Sequence, residues 1–162
     1  MASAHQGGPE ANPPGKTDRL HRQAAPASAR CLPVLRDELV EWARATGLRA
    51  IVTESLALAA YEAMANAVEH AYEGSSGPLD VEAVHLADRV QVTVTDHGNW
   101  VPAHQGDQQR KRGLPLIRRL ADETAVTAAQ TGTTVRMSWL HPAGEAEEAT
   151  TATTAGRAGT AG

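Results

Sequence analysis

The sequence predicts an α+β fold, a two-layer sandwich in which helices cover one face of a mixed, mostly antiparallel sheet. Apolar residues recur at helical spacing up to about residue 72, and from residue 79 onward they alternate with a period of two. The strand-like segments also come in pairs with short connections, which favours hairpins over the crossovers of a doubly wound parallel sheet. We therefore expect one layer of helices and one sheet.

Composition places a single domain at residues 27–140 of the 162-residue chain. Residues 1–26 contain several Gly and Pro but almost no large apolar side chain, and residues 141–162 are mostly Ala, Thr and Gly with a short acidic patch. Such segments bury too little apolar surface to offset the entropy lost on ordering. We expect both to be disordered tails.

Two helices are predicted before the sheet. In residues 27–46 apolar residues recur at helical spacing, Ser28 is a candidate N-cap, Pro33 lies near the first turn or kinks the helix, and Gly47 supplies a stop. Residues 51–72 form the second and longest helix, which ends before the Gly- and Ser-rich residues 74–78. Its apolar positions lie on one side, which predicts that this side is buried.

Four strands and a short helix are predicted in the second half of the chain. Residues 79–85 and 90–95 alternate and are close enough for a hairpin, as are residues 124–129 and 133–140. Between the two pairs, residues 100–112 form a polar loop, and a short helix covers residues 114–122. A loop of this length inside a compact domain is usually functional.

Charge and cysteine content narrow the function classes. The net charge of −4 gives no electrostatic footprint for general nucleic-acid binding. Cys31 is the only cysteine, so an intrachain disulfide is excluded, which fits a reducing cytoplasm. No apolar run has the length of a signal peptide or a membrane span. No Gly-rich phosphate loop with Lys-Ser/Thr and no G-x-G-x-x-G after a strand is present.

One polar stripe carries candidate chemistry. Glu62, Asn66 and His70 are four residues apart and therefore share one face of the second helix. By itself this pattern is typical of a solvated helix face. Three further groups follow in order along the chain: Asp96-His97-Gly98 after a strand, Arg112-Gly113-Leu114 after the long loop, and Gly132-Thr133-Thr134 before the last strand.

Taken together and in this order, these residues resemble the Bergerat-type ATP-binding fold of gyrase, histidine kinases and the heat-shock-90 chaperones. The chain length and the two helices before the first motif are most similar to the stand-alone anti-sigma-factor serine kinases, over residues 27–140. The resemblance implies a cytoplasmic, ATP-dependent serine/threonine-protein kinase. Such a protein phosphorylates an anti-sigma antagonist, sequesters a sigma factor and thereby regulates transcription.

The resemblance also implies roles for individual residues. Asn66 offers an amide oxygen to Mg²⁺, and Glu62 accepts the proton of the attacking hydroxyl or orients that hydroxyl. Asp96 accepts a hydrogen bond from the exocyclic amino group of adenine, while Gly98 lets the backbone approach the base. The remaining implied positions are Thr133, which supports adenine through a water, and Arg112, Gly113 and Leu114, which form the phosphate-facing end of the lid.

Two positions depart from the family pattern. Trp100 stands where a second glycine often follows the Asp-x-Gly motif, and Lys111 stands where the lid usually has the first glycine of Gly-x-Gly. The irregular lid favours an alternative, a non-catalytic nucleotide-binding module that regulates its partner by binding alone. A detached histidine-kinase catalytic domain is disfavoured, because no phospho-accepting helix pair precedes the first motif. The sequence identifies neither the sigma factor nor the antagonist and leaves a homodimer open.

Overall fold

A computed structural model describes residues 18–72, 76–98 and 110–141, without the side chains of residues 110–112. The described residues form a strand, two helices, a hairpin, a third helix and a second hairpin. In chain order the elements are β1 (Arg19–Pro26), α1 (Leu32–Ala45), α2 (Ala50–His70), β2 (Pro78–His85), β3 (Arg89–Asp96), α3 (Arg110–Leu120), β4 (Glu123–Ala129) and β5 (Gly132–Leu140). The predicted α+β fold is confirmed.

The strands form one sheet in the order β1-β2-β3-β5-β4. Every described pairing is antiparallel, so the sheet is antiparallel rather than mixed. Both predicted hairpins are present, and pairing between β3 and β5 joins them at the centre, with Val94 opposite Val135 and Thr95 opposite Thr134. This register brings the last residue of β3, Asp96, beside the first residues of β5.

The core lies between one face of the sheet and the helices. The strand residues that face the core alternate along β2, β3 and β5 and are Leu79, Val81, Ala83, Val90, Val92, Val94, Val135, Met137 and Trp139. From α2 the core receives a continuous buried side that includes Leu56, Ala60, Met64 and Ala67. The side of α2 that the spacing predicted to be buried is the buried one.

The strand β1 corrects the predicted domain boundary. Arg19–Pro26 was expected to belong to a disordered tail, yet these residues pair antiparallel with β2. Most β1 side chains are exposed, so this strand shows neither an apolar run nor alternation. Only Leu20 and Ala25 pack against the core, so the strand is held mainly by backbone hydrogen bonds along the edge of β2, which leave no signal in the side-chain pattern. The other residues of the two predicted tails, apart from Asp18 and His141, lie outside the described residues.

A bulge interrupts β1 and carries backbone strain. The register shifts between Arg22 and Ala25, and Ala24 has a φ of 53°. This left-handed conformation costs a residue with a Cβ about 1–2 kcal/mol. Since Ala24 is exposed, its methyl group contributes little packing that would offset this cost.

Replacing Ala24 with Gly is expected to raise the free energy of unfolding by about 0.5–1 kcal/mol, because glycine adopts a positive φ without the steric penalty. Urea unfolding of the purified variant measures this change. Ala125→Gly is the matched control, since Ala125 is exposed on the other edge strand and lacks a positive φ. The control should lower stability by about 0.5–1 kcal/mol. If both substitutions change the free energy of unfolding in the same direction, the proposed strain at Ala24 is contradicted.

Helices α1 and α2 differ from the prediction only at their ends. The N-cap of α1 is Cys31 rather than Ser28, which places Pro33 in the first turn without a kink. Gly47, with a φ of 79°, follows the end of α1 as its predicted stop. Trp42 is buried in the core. None of the helices in the described part of the chain has the length and hydropathy needed to cross a membrane.

Helix α3 begins earlier than predicted. It spans Arg110–Leu120 and therefore includes residues 110–112, which the sequence predicts to lie in the loop, whereas it ends before Asp122. Pro115 lies inside the helix, where its missing amide removes one helical hydrogen bond. The indole Nε1 of buried Trp139 donates to the carbonyl oxygen of Leu120 over 2.7 Å and satisfies the end of α3. Residues 99–109, with Trp100, lie outside the described residues.

Candidate functional site

A buried carboxylate at the end of β3 joins two of the motifs found in the sequence. Asp96 is only 9% exposed, and its Oδ1 accepts hydrogen bonds from the backbone N–H of Gly98 at 3.2 Å and of Thr133 at 3.1 Å. Among the described residues no donor to its Oδ2 is found. Two backbone amides therefore fix the orientation of the carboxylate, and Oδ2 is the oxygen that can accept from a ligand.

Gly98 is required by packing against α2. A Cβ on Gly98 would lie 2.0 Å from the carbonyl oxygen of Ala71, the C-cap residue of α2. No side chain fits there, because the obstacle is backbone. The structure thus gives a reason for this glycine that differs from the predicted close approach to a base, which stays a prediction. The contact also anchors the Asp96–Gly98 turn to the end of α2.

Gly132 makes a similar contact from the opposite side. It has a φ of 137°, and a Cβ there would lie 1.9 Å from the carbonyl oxygen of Asp96. The sequence pattern included Gly132 but did not predict that its backbone packs directly on Asp96. The turn that carries Asp96 is therefore held between the end of α2 and the start of β5.

The polar stripe of α2 meets α3 at Asn66. A Cβ on Gly113 would lie 2.8 Å from Nδ2 and 2.9 Å from Oδ1 of Asn66, so the buried Gly113 packs on the amide group. The structure thus brings two predicted site residues together. Glu62 is half-buried one turn earlier on the same face of α2. Within the described part of the chain, no hydrogen bond or ion pair to its carboxylate is found.

Three other residues singled out in the sequence show no side-chain hydrogen bond to Asp96 or Asn66 in the described part of the chain. Leu114 is partly buried and packs against the hydrophobic core. The backbone of Arg112 belongs to α3, and its side chain lies outside the described part. His70 Nε2 is buried, lies 3.6 Å from Glu69 Oε2 and has no hydrogen-bond partner among the described residues. No catalytic contact of His70 follows from this position.

The sequence did not predict a polar network next to the Asp96–Gly98 turn. The hydroxyl of Tyr72 donates to the carbonyl oxygen of Pro78 and accepts from the N–H of His97 at 2.9 Å. His97 Nε2 lies 2.7 Å from Asp80 Oδ2, and Asp80 Oδ1 accepts from the N–H of Ala24 at 2.7 Å. The only signal in the sequence was the place of His97 inside Asp-x-Gly, since its partners come from distant segments.

In this network the Tyr72 hydroxyl stays protonated and the Asp80 carboxyl stays ionised at neutral pH. Burial raises the pKa of the Tyr72 hydroxyl, and the charges of Asp96 and Asp80 raise it further against the opposing hydrogen bond from His97. Burial alone would raise the pKa of Asp80, but hydrogen bonds from Ala24 and His97 outweigh it and the pKa is lowered. Tyr72 therefore remains a donor, and Asp80 remains an anionic acceptor.

The arrangement suits an adenine nucleotide with a divalent cation. Asp96 supplies a fixed acceptor for an amino group, and Asn66 supplies a neutral oxygen of the kind that Mg²⁺ accepts beside phosphates and water. Glu62 supplies a carboxylate on the same helix face as Asn66. The residues present therefore fit the groups that the resemblance implies.

Comparison with known proteins agrees with this geometry. The model of the histidine kinase-like ATPase domain matches residues 25–139. The serine-protein kinase RsbW of Bacillus subtilis (strain 168) is 31% identical over 129 residues, which cover 70% of this chain and 80% of that protein. The serine-protein kinase RsbW of Bacillus pumilus (strain SAFR-032) is 35% identical over 103 residues, which cover 52% of this chain but only 63% of the relative.

A solved structure supports the same assignment. The crystal structure of the RsbU and RsbW domains of a Mycobacterium tuberculosis protein aligns with a TM-score of 0.62 and 26% identity, over 75% of this chain and 32% of that chain. The fold is therefore the one that the motifs predicted, and the resemblance is confirmed. The chain belongs to the histidine kinase-like ATPase domain family, among the relatives of the serine-protein kinase RsbW.

Proposed function

We propose that this protein binds Mg-ATP and phosphorylates a serine of an anti-sigma antagonist, and that it regulates transcription by sequestering a sigma factor. The observation that carries the proposal is the buried Asp96 carboxylate, oriented by the amides of Gly98 and Thr133. The serine-protein kinase names of the relatives support the reaction type.

Recognition of adenine follows from the chemistry of Asp96. Its Oδ2 accepts a hydrogen bond from the exocyclic amino group, whereas guanine presents a carbonyl oxygen at that position and would repel the carboxylate. Thr133 supports the base through a water, and Gly98 keeps the backbone near it. ATP is accordingly the preferred nucleotide.

The phosphates are proposed to lie between α2 and α3. Asn66 contributes its amide oxygen to Mg²⁺, which supplies charge neutralisation on the phosphates. Gly113 packs on that amide, so the start of α3 with Arg112 and Leu114 is close to Asn66. A guanidinium beside phosphate oxygens forms charge-assisted hydrogen bonds, which is the role proposed for Arg112.

Glu62 is the proposed general base. The serine oxygen of the antagonist forms a bond to the γ-phosphorus, the bond from that phosphorus to the bridging oxygen breaks, and ADP leaves with the bond electrons. The proton of the serine hydroxyl passes to the Glu62 carboxylate. The half-buried position of Glu62, one turn from Asn66, supports this role.

Glu62→Gln is expected to retain ATP affinity and to lower phosphotransfer by at least about a hundredfold, because the amide cannot accept the proton. Calorimetry measures binding of Mg-ATP, and radiolabelled ATP with candidate antagonists measures transfer to serine. Glu54→Gln is the matched control, since Glu54 is exposed two turns earlier on α2. Undiminished transfer by Glu62→Gln would remove this residue from its role.

The same labelling experiment separates the kinase from a module that binds nucleotide without chemistry. Only the kinase transfers label to an antagonist. A pull-down from lysate with and without ATP identifies the sigma factor and the antagonist, and the size of the purified protein in solution decides whether it forms a homodimer. The proposed location is the cytoplasm, where these partners act.

A further inference from the structure

Asp80 occupies a position between the first strand and the nucleotide site. It lies in β2, and its two carboxylate oxygens bind different segments: Oδ1 accepts from the N–H of Ala24 in β1, and Oδ2 is 2.7 Å from Nε2 of His97. His97 directly follows Asp96. The carboxylate therefore bridges the bulge of β1 and the turn that carries the proposed adenine contact.

Tyr72 holds the same turn at a second point. Its hydroxyl accepts from the backbone N–H of His97 and donates to the carbonyl oxygen of Pro78, at the start of β2. The turn is fixed by contacts that do not touch the ligand-facing Oδ2 of Asp96.

We propose that Asp80 is a positioning residue of the nucleotide site, which holds the Asp96–Gly98 turn in its binding geometry through the side chain of His97. The inference rests on the proposed function for the identity of the ligand. The structural part of the inference does not depend on the ligand: the Asp80–His97 contact maintains the hydrogen bonds from the Gly98 and Thr133 amides to Asp96.

The bulge in β1 serves this contact. Ala24 adopts its strained φ of 53° and donates its N–H to Asp80, so the same carboxylate is held in place from the side of β1. A strand that side-chain patterning does not reveal thereby contributes to the site. Removal of the Asp80 carboxylate frees both the bulge and the imidazole.

The chain offers a closely matched control on the same strand. Glu82 lies two residues after Asp80 on β2, on the same sheet face, and its carboxylate also reaches β1, where it pairs with Arg19. This pair is exposed and makes no contact with the Asp96–Gly98 turn among the described residues. Loss of Glu82 therefore removes a carboxylate link between β1 and β2 without releasing His97.

The experiment measures amide hydrogen exchange and ATP affinity in the full chain. Asp80→Ala and His97→Ala are each expected to speed exchange at Gly98 and Thr133 by roughly tenfold, while Val92 in the centre of β3 keeps its wild-type rate. The Kd for Mg-ATP should rise roughly tenfold, with the phosphotransfer rate at saturating ATP unchanged. Combining the two substitutions should add little to the effect of Asp80→Ala on these two amides, because each variant already lacks the Asp80–His97 contact.

His97→Gln and Glu82→Ala complete the test. The glutamine amide can donate to Asp80 and should restore most of the protection at Gly98 and Thr133, whereas Glu82→Ala should match the wild type throughout. Wild-type exchange at both amides in Asp80→Ala would overturn the inference, and so would equal acceleration at Val92. If Asp80→Ala does not fold, the pair His97→Ala and His97→Gln decides by the same criterion. The two proposals can also fail separately. If the wild type binds no ATP but Asp80→Ala still speeds exchange at Gly98 and Thr133, the positioning role of Asp80 is supported and the proposed function is overturned.

Discussion

Asp96→Asn is expected to weaken ATP binding about 10- to 150-fold, the equivalent of about 1.5–3 kcal/mol for a hydrogen bond to a charged group. The amide oxygen of the new side chain can still accept from Gly98 and Thr133, because these donors share one oxygen, Oδ1. The amide nitrogen then replaces Oδ2. Two donors, this nitrogen and the adenine amino group, would face each other.

Nucleotide selectivity separates this effect from misfolding. The introduced amide nitrogen can donate to the carbonyl oxygen of guanine, so Asp96→Asn should narrow or reverse the preference for ATP over GTP in calorimetry. Asp88→Asn is the control, because Asp88 lies at the β2–β3 connection and pairs with Arg89. Undiminished ATP affinity in Asp96→Asn would sink the assignment of the adenine site.

Much of the fold could be predicted because it depends on side-chain periodicity. The long helix α2 and both hairpins bury one side of each element, and this leaves a regular apolar pattern in the sequence. The Asp96, Gly98 and Thr133 positions were likewise recognisable as an ordered set. The hydrogen bonds from both amides to one carboxylate oxygen then join these positions in space.

What the sequence did not predict depends on backbone. The edge strand β1 is ordered through main-chain pairing with β2, and its mostly exposed side chains carry no pattern. The close contact of Gly98 with Ala71 likewise involves a carbonyl oxygen, which any residue type would present. The link from Ala24 through Asp80 to His97 joins three segments far apart in the chain, so no local spacing could reveal it.

The contact between Gly132 and Asp96 predicts the largest loss of stability. Gly132→Ala is expected to lower the free energy of unfolding by at least ~3 kcal/mol, because two costs combine. The φ of 137° is unfavourable for a residue with a Cβ, and the added methyl carbon would lie 1.9 Å from the carbonyl oxygen of Asp96 and 2.8 Å from its carbonyl carbon. Backbone atoms cannot rotate away as a flexible side chain would.

Urea unfolding measures the loss of stability. Gly47→Ala is the control for the cost of a positive φ without a close backbone contact. Gly47 also has a positive φ, 79°, but it is exposed after α1, so alanine there should cost only about 1–2 kcal/mol. If Gly132→Ala folds, displacement of the turn should also weaken the bond from Thr133 to Asp96 and raise the Kd for ATP. Equal stability of the two alanine variants would show that the β4–β5 turn yields to the methyl group. In that case the close packing of Gly132 on Asp96 would not be what holds the proposed adenine-binding carboxylate in place.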